Sequence, residues 1–386
     1  MSETVGRSAL EGVRVVELAT VLAGPGAGKY LADFGAEVIK VEAPGGDPTR
    51  RMGWIGPGEE DAYFFKLVNR NKQVIDLDLK TPAGKEVLWG LLEDASILIE
   101  NMRPGKLEAL GFSPDELFRR NPRLVVLRIS GFGQDGPYAQ HPGFATLAEA
   151  LSGFSALLGE ADGPPLLPPV AVTDEVTALV GALMAMIALR HAERTGEGQV
   201  VDANLLTSMF QLMGPLPSAY AHMGYLQPRL GSGIPYTVPR GTYRCADGVW
   251  IAISSSSDSV ANRVLALLGL RDDPRYADFQ ARSTNREALE QAVTEWVAAR
   301  PSDEVIAAFR DADAAIARVL TMDEIFADPH YRARQMLTTV GGVTMQNVIA
   351  NLSRTPGRIR HPGRPFGADT RQVLDRLRRK KGGDEP

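Results

Sequence analysis

The sequence predicts an α/β fold: a largely parallel sheet of Rossmann type, followed by a smaller α+β unit. Three observations carry that prediction. Short runs rich in Val, Ile and Leu alternate with helical patterns through the first 130 residues. A stretch rich in Gly, Pro and Tyr at residues 223–239 marks a boundary. Beyond it, residues 241–254 have the pattern of a β-hairpin with helices of its own.

The first strand is residues 13–18, where Val13, Val15 and Val16 are β-branched. Gly24-Pro25-Gly26-Ala27-Gly28-Lys29 follows and leads into a helix at 27–34. This run fails the dinucleotide fingerprint because position 29 is Lys. It fails the P-loop because position 23 is Ala and position 30 is Tyr. It reads as a tight strand-to-helix turn whose helix N-terminus can accept a phosphate or carbonyl. Strand two, residues 37–42, ends on Glu42, where a dinucleotide fold places its ribose-binding acid. Strands at 72–77, 95–100 and 124–129, with helices at 82–93 and 113–119, complete the alternation. A helix-rich section spans 144–214. Within it a Pro-rich extended run at 163–173 gives way to an Ala- and Leu-rich helix. The apolar stretch of that helix, 176–189, is too short for a membrane span and reads as buried. The hairpin has arms at 241–245 and 249–253 around Ala246-Asp247-Gly248. Helical patterns at 259–268, 286–299 and 302–311 follow, then a link at 316–330. Two turn clusters, Thr355-Pro356-Gly357 and His361-Pro362-Gly363-Arg364-Pro365, precede a last helix at 370–380 with a basic tail.

At 386 residues the chain is long enough for two domains. Its 44% hydrophobic and 23% charged content is that of an ordinary soluble globular protein. A net charge of -5 argues against broad binding to nucleic acid or an anionic membrane, and leaves room for a local basic pocket. Cys245 is the single cysteine, so no intrachain disulfide forms and a cytoplasmic location is expected. Residues 1–7 have no apolar h-region, so no signal peptide is expected. His141, His191, His222, His330 and His361 form no ligand-spaced pair, so no metal site is expected.

Asp174 is the leading candidate for chemistry. It stands between the Pro-rich run and the apolar helix, where backbone N–H groups and the helix dipole favour an ionised carboxylate. Such a group is a good helix cap and also a usable nucleophile; residue physics alone favours the cap. Glu100-Asn101-Met102-Arg103-Pro104-Gly105 follows a strand at the carboxyl edge of the sheet, where open α/β folds bind ligands. Asn101 offers an amide and Arg103 a fixed cation suited to phosphate. Lys72, in Asn69-Arg70-Asn71-Lys72, offers another cation. Taken singly, each of these reads first as part of a surface loop with solvated charges. The glycines of Ser130-Gly131-Phe132-Gly133-Gln134-Asp135-Gly136-Pro137-Tyr138 allow close backbone approach to a ligand, or simply a turn. Gly231-Ser232-Gly233 reads by itself as a linker or lid.

Taken together, these segments resemble the family III coenzyme A transferases of the CaiB/BaiF type, a family related to formyl-CoA transferase and α-methylacyl-CoA racemase. The matching pieces occur in the family's order. They are residues 10–18, Ala23-Gly24-Pro25, residues 35–42, Asn69-Arg70-Asn71-Lys72, residues 100–105, residues 130–138, residues 195–202, and Arg358-Ile359-Arg360-His361-Pro362-Gly363. They span nearly the whole chain.

The resemblance implies a Rossmann-like large domain made from both chain ends, an inserted small α+β domain, and a homodimer whose chains pass through one another like linked rings. The expected boundaries are a large CoA-binding domain at 1–200, a linker at 201–229, the small domain at 230–325, and a linker with the return to the large domain at 326–386. It implies that Asp174 attacks an acyl-CoA thioester. CoA then passes to a carboxylic acid acceptor through mixed anhydrides and an aspartyl-CoA thioester, with no permanently bound cofactor. Contacts to CoA are expected from Lys40, Lys72, Asn101 and Arg103 and from the backbone at Val21, Leu22 and Ala23. Gly231-Ser232-Gly233 matches the glycine loop that shields the intermediate.

Some positions depart from the family pattern. Racemases place a His-Asp pair where this chain has Gly143-Phe144-Ala145-Thr146, and a Glu where it has Ser254-Ser255-Ser256-Ser257, so racemisation is the disfavoured reading. Some transferases carry an acid in place of Ala145 and a basic CoA contact in place of Ala43. The pattern at 144–154 instead looks like the branch acting on dicarboxylic acyl groups such as succinyl-CoA. Glu175 replaces a small residue, and either raises the Asp174 pKa or points to solvent. These departures also fit a CoA-binding member with reduced catalysis, and the sheet pattern by itself fits a nicotinamide dehydrogenase.

Overall fold

The computed structural model describes residues 8–382; the expectations about residues 1–7 and the end of the basic tail lie outside them. Two compact units are present. One comprises Met1–Phe154, Pro168–Met213 and Tyr331–Pro386, the other Ser155–Leu167 and Gly214–His330.

The first unit is built on a parallel sheet: β1 (Arg14–Glu17), β2 (Glu37–Glu42), β3 (Gln73–Asp76), β4 (Ile97–Glu100), β5 (Val125–Ser130) and β6 (Val200–Asn204). The order β3-β2-β1-β4-β5-β6 is that of doubly wound nucleotide-binding sheets. Successive strand residues face opposite sides. Val15, Val38, Ile97 and Val125 enter one core with the helices Ala23–Asp33 and Val172–Thr195. Val16, Ile39, Leu98 and Val126 enter the other, with the helices Pro82–Leu92 and Thr370–Gly382. Both faces are covered, which is why the strands read as unbroken apolar runs. Pro82–Leu92 starts where expected because the Thr81 hydroxyl caps the Gly84 N–H at 3.0 Å and Pro82 needs no donor in the first turn.

The sequence reading lacks β6, of which only Ala203 is buried. It also lacks the hairpin Leu337–Val340 and Val343–Gln346. That hairpin turns through Gly341 and Gly342, at φ +56° and +77°, as a two-residue turn of this kind requires. The outer edge of β3 is closed by the start of the last helix. Asp369 accepts from the Val74 N–H at 2.8 Å and Thr370 from the Asp76 N–H at 2.9 Å.

The long helix Val172–Thr195 differs from expectation. It has 24 residues, with a stretch of mean hydropathy 1.7, so by length and composition alone it could cross a membrane. Its polar first and last turns carry it beyond the apolar stretch at 176–189. Ala178, Ala182, Ala185 and Ala188 pack it onto the sheet.

The second unit holds an antiparallel sheet of β7 (Arg240–Arg244), β8 (Trp250–Ser254) and β9 (Ile316–Arg318). Tyr243, Ile251 and Ile253 pack against Val264, Val293, Val305 and Phe309 of its helices. The segment expected as a link thus begins with a strand. Unit boundaries also differ from those expected. Residues 201–213 are not a linker: they contain the end of β6 and the helix Leu205–Gln211, capped by Asn204, in the first unit. Residues 155–167 fall in the second unit, while the return to the first, at Tyr331, lies within the segment expected as linker and return.

Candidate active site

Strand order reverses between β1 and β4, and a cavity of about 410 Å³ opens beside that point. Its walls are residues 20–23 after β1, residues 101–104 after β4 and residues 129–131 at the end of β5. Ala139, His141, residues 143–146, Leu205 and Asp174 complete it. Open α/β sheets bind ligands at this position, outside the carboxyl ends of the strands.

Asp174 is not the cap of the long helix. The cap is Ala171, and Asp174 stands at the third helical position. The Glu175 N–H already bonds the Ala171 carbonyl at 3.1 Å, which closes the first turn ahead of the expected junction. The Asp174 carboxyl is raised from 3.8 to about 6, first by burial and then by the charges of Glu149 and Glu175. These effects outweigh the helix dipole, which reverses the expectation that the position favours the charged form. If Asp174 is the nucleophile, kcat/KM is expected to fall about tenfold per pH unit below pH ~6 and to level off above it. A flat profile from about pH 5 to 8 excludes it as the titrating group.

Glu149 is a neighbour that the sequence reading misses. It is buried on the helix Ala145–Leu151, and its Oε1 accepts from the Thr173 hydroxyl at 2.7 Å. The available signal is an acid on the inner face of an Ala- and Leu-rich helix. Glu175, its side chain 38% exposed, is paired and not a free surface charge. Its carboxylate meets Lys29 Nζ at 2.8 Å and accepts from the Tyr30 hydroxyl.

The floor of the cavity shows what the expected CoA contacts do in this chain. Val21 has φ +67°, a strained conformation for a β-branched residue. The loop that holds it is fixed around its whole length. Lys40 Nζ donates to the Ala19 carbonyl at 2.8 Å, and Lys72 Nζ to the Pro25 carbonyl at 2.7 Å. Asn101 accepts from the Thr20 N–H at 2.9 Å and donates back to the Thr20 carbonyl at 2.7 Å. Val21, Leu22, Ala23, Asn101 and Arg103 all line the cavity.

Lys40 and Lys72 do not line it. Both are fully buried and share Glu17, at 3.4 Å and 2.9 Å, and Lys40 also meets Asp47 at 2.8 Å. An ammonium group enclosed and paired in this way is a strut for the loop, not a phosphate ligand. Glu42 is likewise committed, to Arg50 at 2.7 Å. Arg103, by contrast, is exposed, and no carboxylate among the described residues pairs with it.

The glycines of the first helix are packing glycines. A Cβ at Gly24 would stand 2.3 Å from Ala19 Cβ, at Gly26 2.7 Å from Ala178 Cβ, and at Gly28 1.9 Å from Glu17 Oε2. The motifs Asn69-Arg70-Asn71-Lys72 and residues 358–363 meet each other. Arg360 N–H donates to Asn71 Oδ1 at 2.7 Å, and Asn71 Nδ2 donates to the Arg358 carbonyl at 2.8 Å.

Gly231, Ser232 and Gly233 belong to the second unit, where they are anchored. The Gly231 N–H donates to the Gly159 carbonyl at 3.0 Å, and Arg240 donates to the Ser232 carbonyl at 2.6 Å. Gly231 has φ +55°, a backbone conformation that favours glycine.

Comparison with known proteins gives one consistent result. The model of CoA-transferase family III matches residues 10–370. Succinyl-CoA–D-citramalate CoA-transferase of Chloroflexus aurantiacus is 37% identical over 95% of this chain and 94% of its own length. Succinate–glutarate CoA-transferase of Agrobacterium fabrum is 35% identical, over 95% of each chain. The crystal structure of a CAIB/BAIF family protein from Brucella suis superposes with a TM-score of 0.85 at 32% identity, covering 96% of this chain and 99% of that one.

Proposed function

This chain belongs to CoA-transferase family III and transfers CoA between an acyl-CoA and a carboxylate, and from that premise we propose that Asp174 carries the group covalently. The observation that carries this reading is a carboxylate in the first turn of a helix, lining the cavity at the switch point of the sheet.

The ionised carboxylate attacks the donor thioester carbonyl, and the C–S bond breaks to give a mixed anhydride and CoA thiolate. The thiolate attacks the aspartyl carbonyl, releasing the donor acid and leaving an aspartyl-CoA thioester. The acceptor carboxylate attacks that thioester, giving a second anhydride and thiolate. Attack of the thiolate on the acceptor's acyl carbon restores Asp174 and releases the new acyl-CoA. No net proton is consumed, and one difficult exchange is divided into easier steps. We propose that first-turn amides near Asp174 stabilise the oxyanions. Arg103 is the free cation suited to a CoA phosphate, with Asn101 and the backbone at Val21, Leu22 and Ala23 shaping the wall.

The named activities of the relatives point to dicarboxylic substrates, with succinyl-CoA as donor. The test is incubation with succinyl-CoA and a panel of mono- and dicarboxylic acids, with chromatography for new acyl-CoA species. Exchange onto dicarboxylates is expected; no new thioester across the panel sinks the reading. We also infer a small domain inserted in the large one, and the linked-ring homodimer. Leu183 and Ile187, 57% and 55% exposed on the long helix, give such a dimer an apolar surface to bury. Gly231-Ser232-Gly233 is the candidate shield for the intermediate, and the cytoplasm the proposed location.

A further inference from the structure

Gly26, Lys29 and Tyr30 stand at i, i+3 and i+4 of the helix Ala23–Asp33, hence on one face. That helix packs along Val172–Thr195, the helix that carries Asp174. Lys29 and Tyr30 both address Glu175. A Cβ at Gly26 would stand 2.7 Å from Ala178 Cβ, so glycine lets the two helices close. Lys29, nearly buried, puts Nζ at 2.8 Å from Glu175 Oε1, and the Tyr30 hydroxyl donates to the same oxygen.

We propose that Lys29 and Glu175, with Tyr30, form a compensated ion pair that positions Asp174 and sets the charge beside it. Glu175 fastens the nucleophile's turn to the first helix, and Lys29 offsets part of the charge that this attachment brings next to Asp174. Burial pushes the Glu175 carboxyl up, but Lys29 and the Tyr30 hydroxyl pull it below the usual carboxylate range, so it remains charged and paired.

Other groups surround Asp174. Glu149, on the helix Ala145–Leu151, adds negative charge, and Arg103 and His141 line the same cavity. Arg70, paired with Asp33 at 2.6 Å, adds positive charge behind Glu175. Lys29 is the cation in direct contact with Glu175. The inference rests on Asp174 being the nucleophile.

The test compares K29M, K29R, E175Q and the double variant K29M/E175Q in the full-length protein. kcat/KM is measured from about pH 5 to 8.5 with succinyl-CoA and a dicarboxylate acceptor. In parallel, intact-mass spectrometry follows the covalent CoA adduct formed without acceptor. K29M leaves the Glu175 charge uncompensated, so the acid limb is expected to move up by about half a pH unit or more, roughly a threefold loss on that limb. E175Q moves it down, K29R keeps it in place, and the double variant returns close to the native profile. A uniform loss in every variant, with the limb unmoved, overturns the proposal and leaves the pair a helix clamp. If the native protein exchanges CoA without a covalent adduct on Asp174, it is the nucleophile reading that fails. Thermal unfolding at pH 8 confirms that each variant is folded.

Discussion

Replacing Asp174 with alanine is expected to lower kcat by at least ~10³-fold and to abolish the covalent CoA adduct, while acyl-CoA still binds. The side chain that forms both anhydrides and the thioester is gone, and water in its place cannot hold CoA. Retention of more than about a tenth of native turnover excludes the mechanism. The same variant has a stability signature. The Asp174 carboxyl is raised from 3.8 to about 6, so the folded state binds its proton more tightly than the unfolded chain does. Ionisation above that value opposes folding. Removing the carboxyl is therefore expected to raise the melting temperature at pH 8, and the gain should vanish as the pH falls below about 4. A catalytic loss together with a more stable fold separates chemistry from misfolding.

The second large effect is expected at Glu17. Glu17→Ala removes the carboxylate shared by two fully buried lysines, Lys40 and Lys72. Lys40 keeps Asp47, but Lys72 is left with the Asn69 side chain and the Pro25 carbonyl. Breaking a buried pair from one side destabilises by about 3–5 kcal/mol, to be read from urea unfolding at pH 7. Lys72 is already lowered to about 8 from 10.5, by burial first and with Glu17 opposing that shift. In the variant it is expected to fall further. A cation whose folded pKa is depressed binds its proton more weakly when folded, so the destabilisation is largest near and below neutral pH. It should recede as the pH rises toward 10.5. A variant unfolding within about 1 kcal/mol of native at pH 7 shows that the cluster does not hold the loop.

These two sites mark what is legible in the sequence. β1 to β5 are readable because their residues are apolar on both faces, and the Asp174 junction because extended and helical patterns meet there. β6 shows no such run, since one residue of it is buried. The hairpin at 337–346 does carry a signal, Gly341-Gly342 between alternating residues, which the turn clusters after it obscure. Lys40 and Lys72 look in sequence like cations at the sheet edge. Their partner Glu17 is 23 and 55 residues away, and only the fold shows that both point inward. Glu149 and Thr173, 24 residues apart, are invisible together for the same reason.

The two sides of the cavity differ in how freely a new substrate preference can evolve. On one side, Asn101 ties down the Thr20 backbone beside Val21, and a change there disturbs the loop that leads into the first helix. On the other, Gly131 and Gly143 touch backbone to backbone, with a Cβ at Gly131 only 2.6 Å from Gly143 Cα. The segment between them, which brings Ala139 and His141 to the cavity, is cinched at its neck. Within it, the Gln134 N–H donates to Asp202 at 2.8 Å and Gln140 donates to the Pro104 carbonyl at 3.4 Å, so its path is fixed at more than the neck. For a directed-evolution library seeking a different acid acceptor, Ala139 and His141, which line the cavity, are the places to put the diversity in a loop kept at its native length.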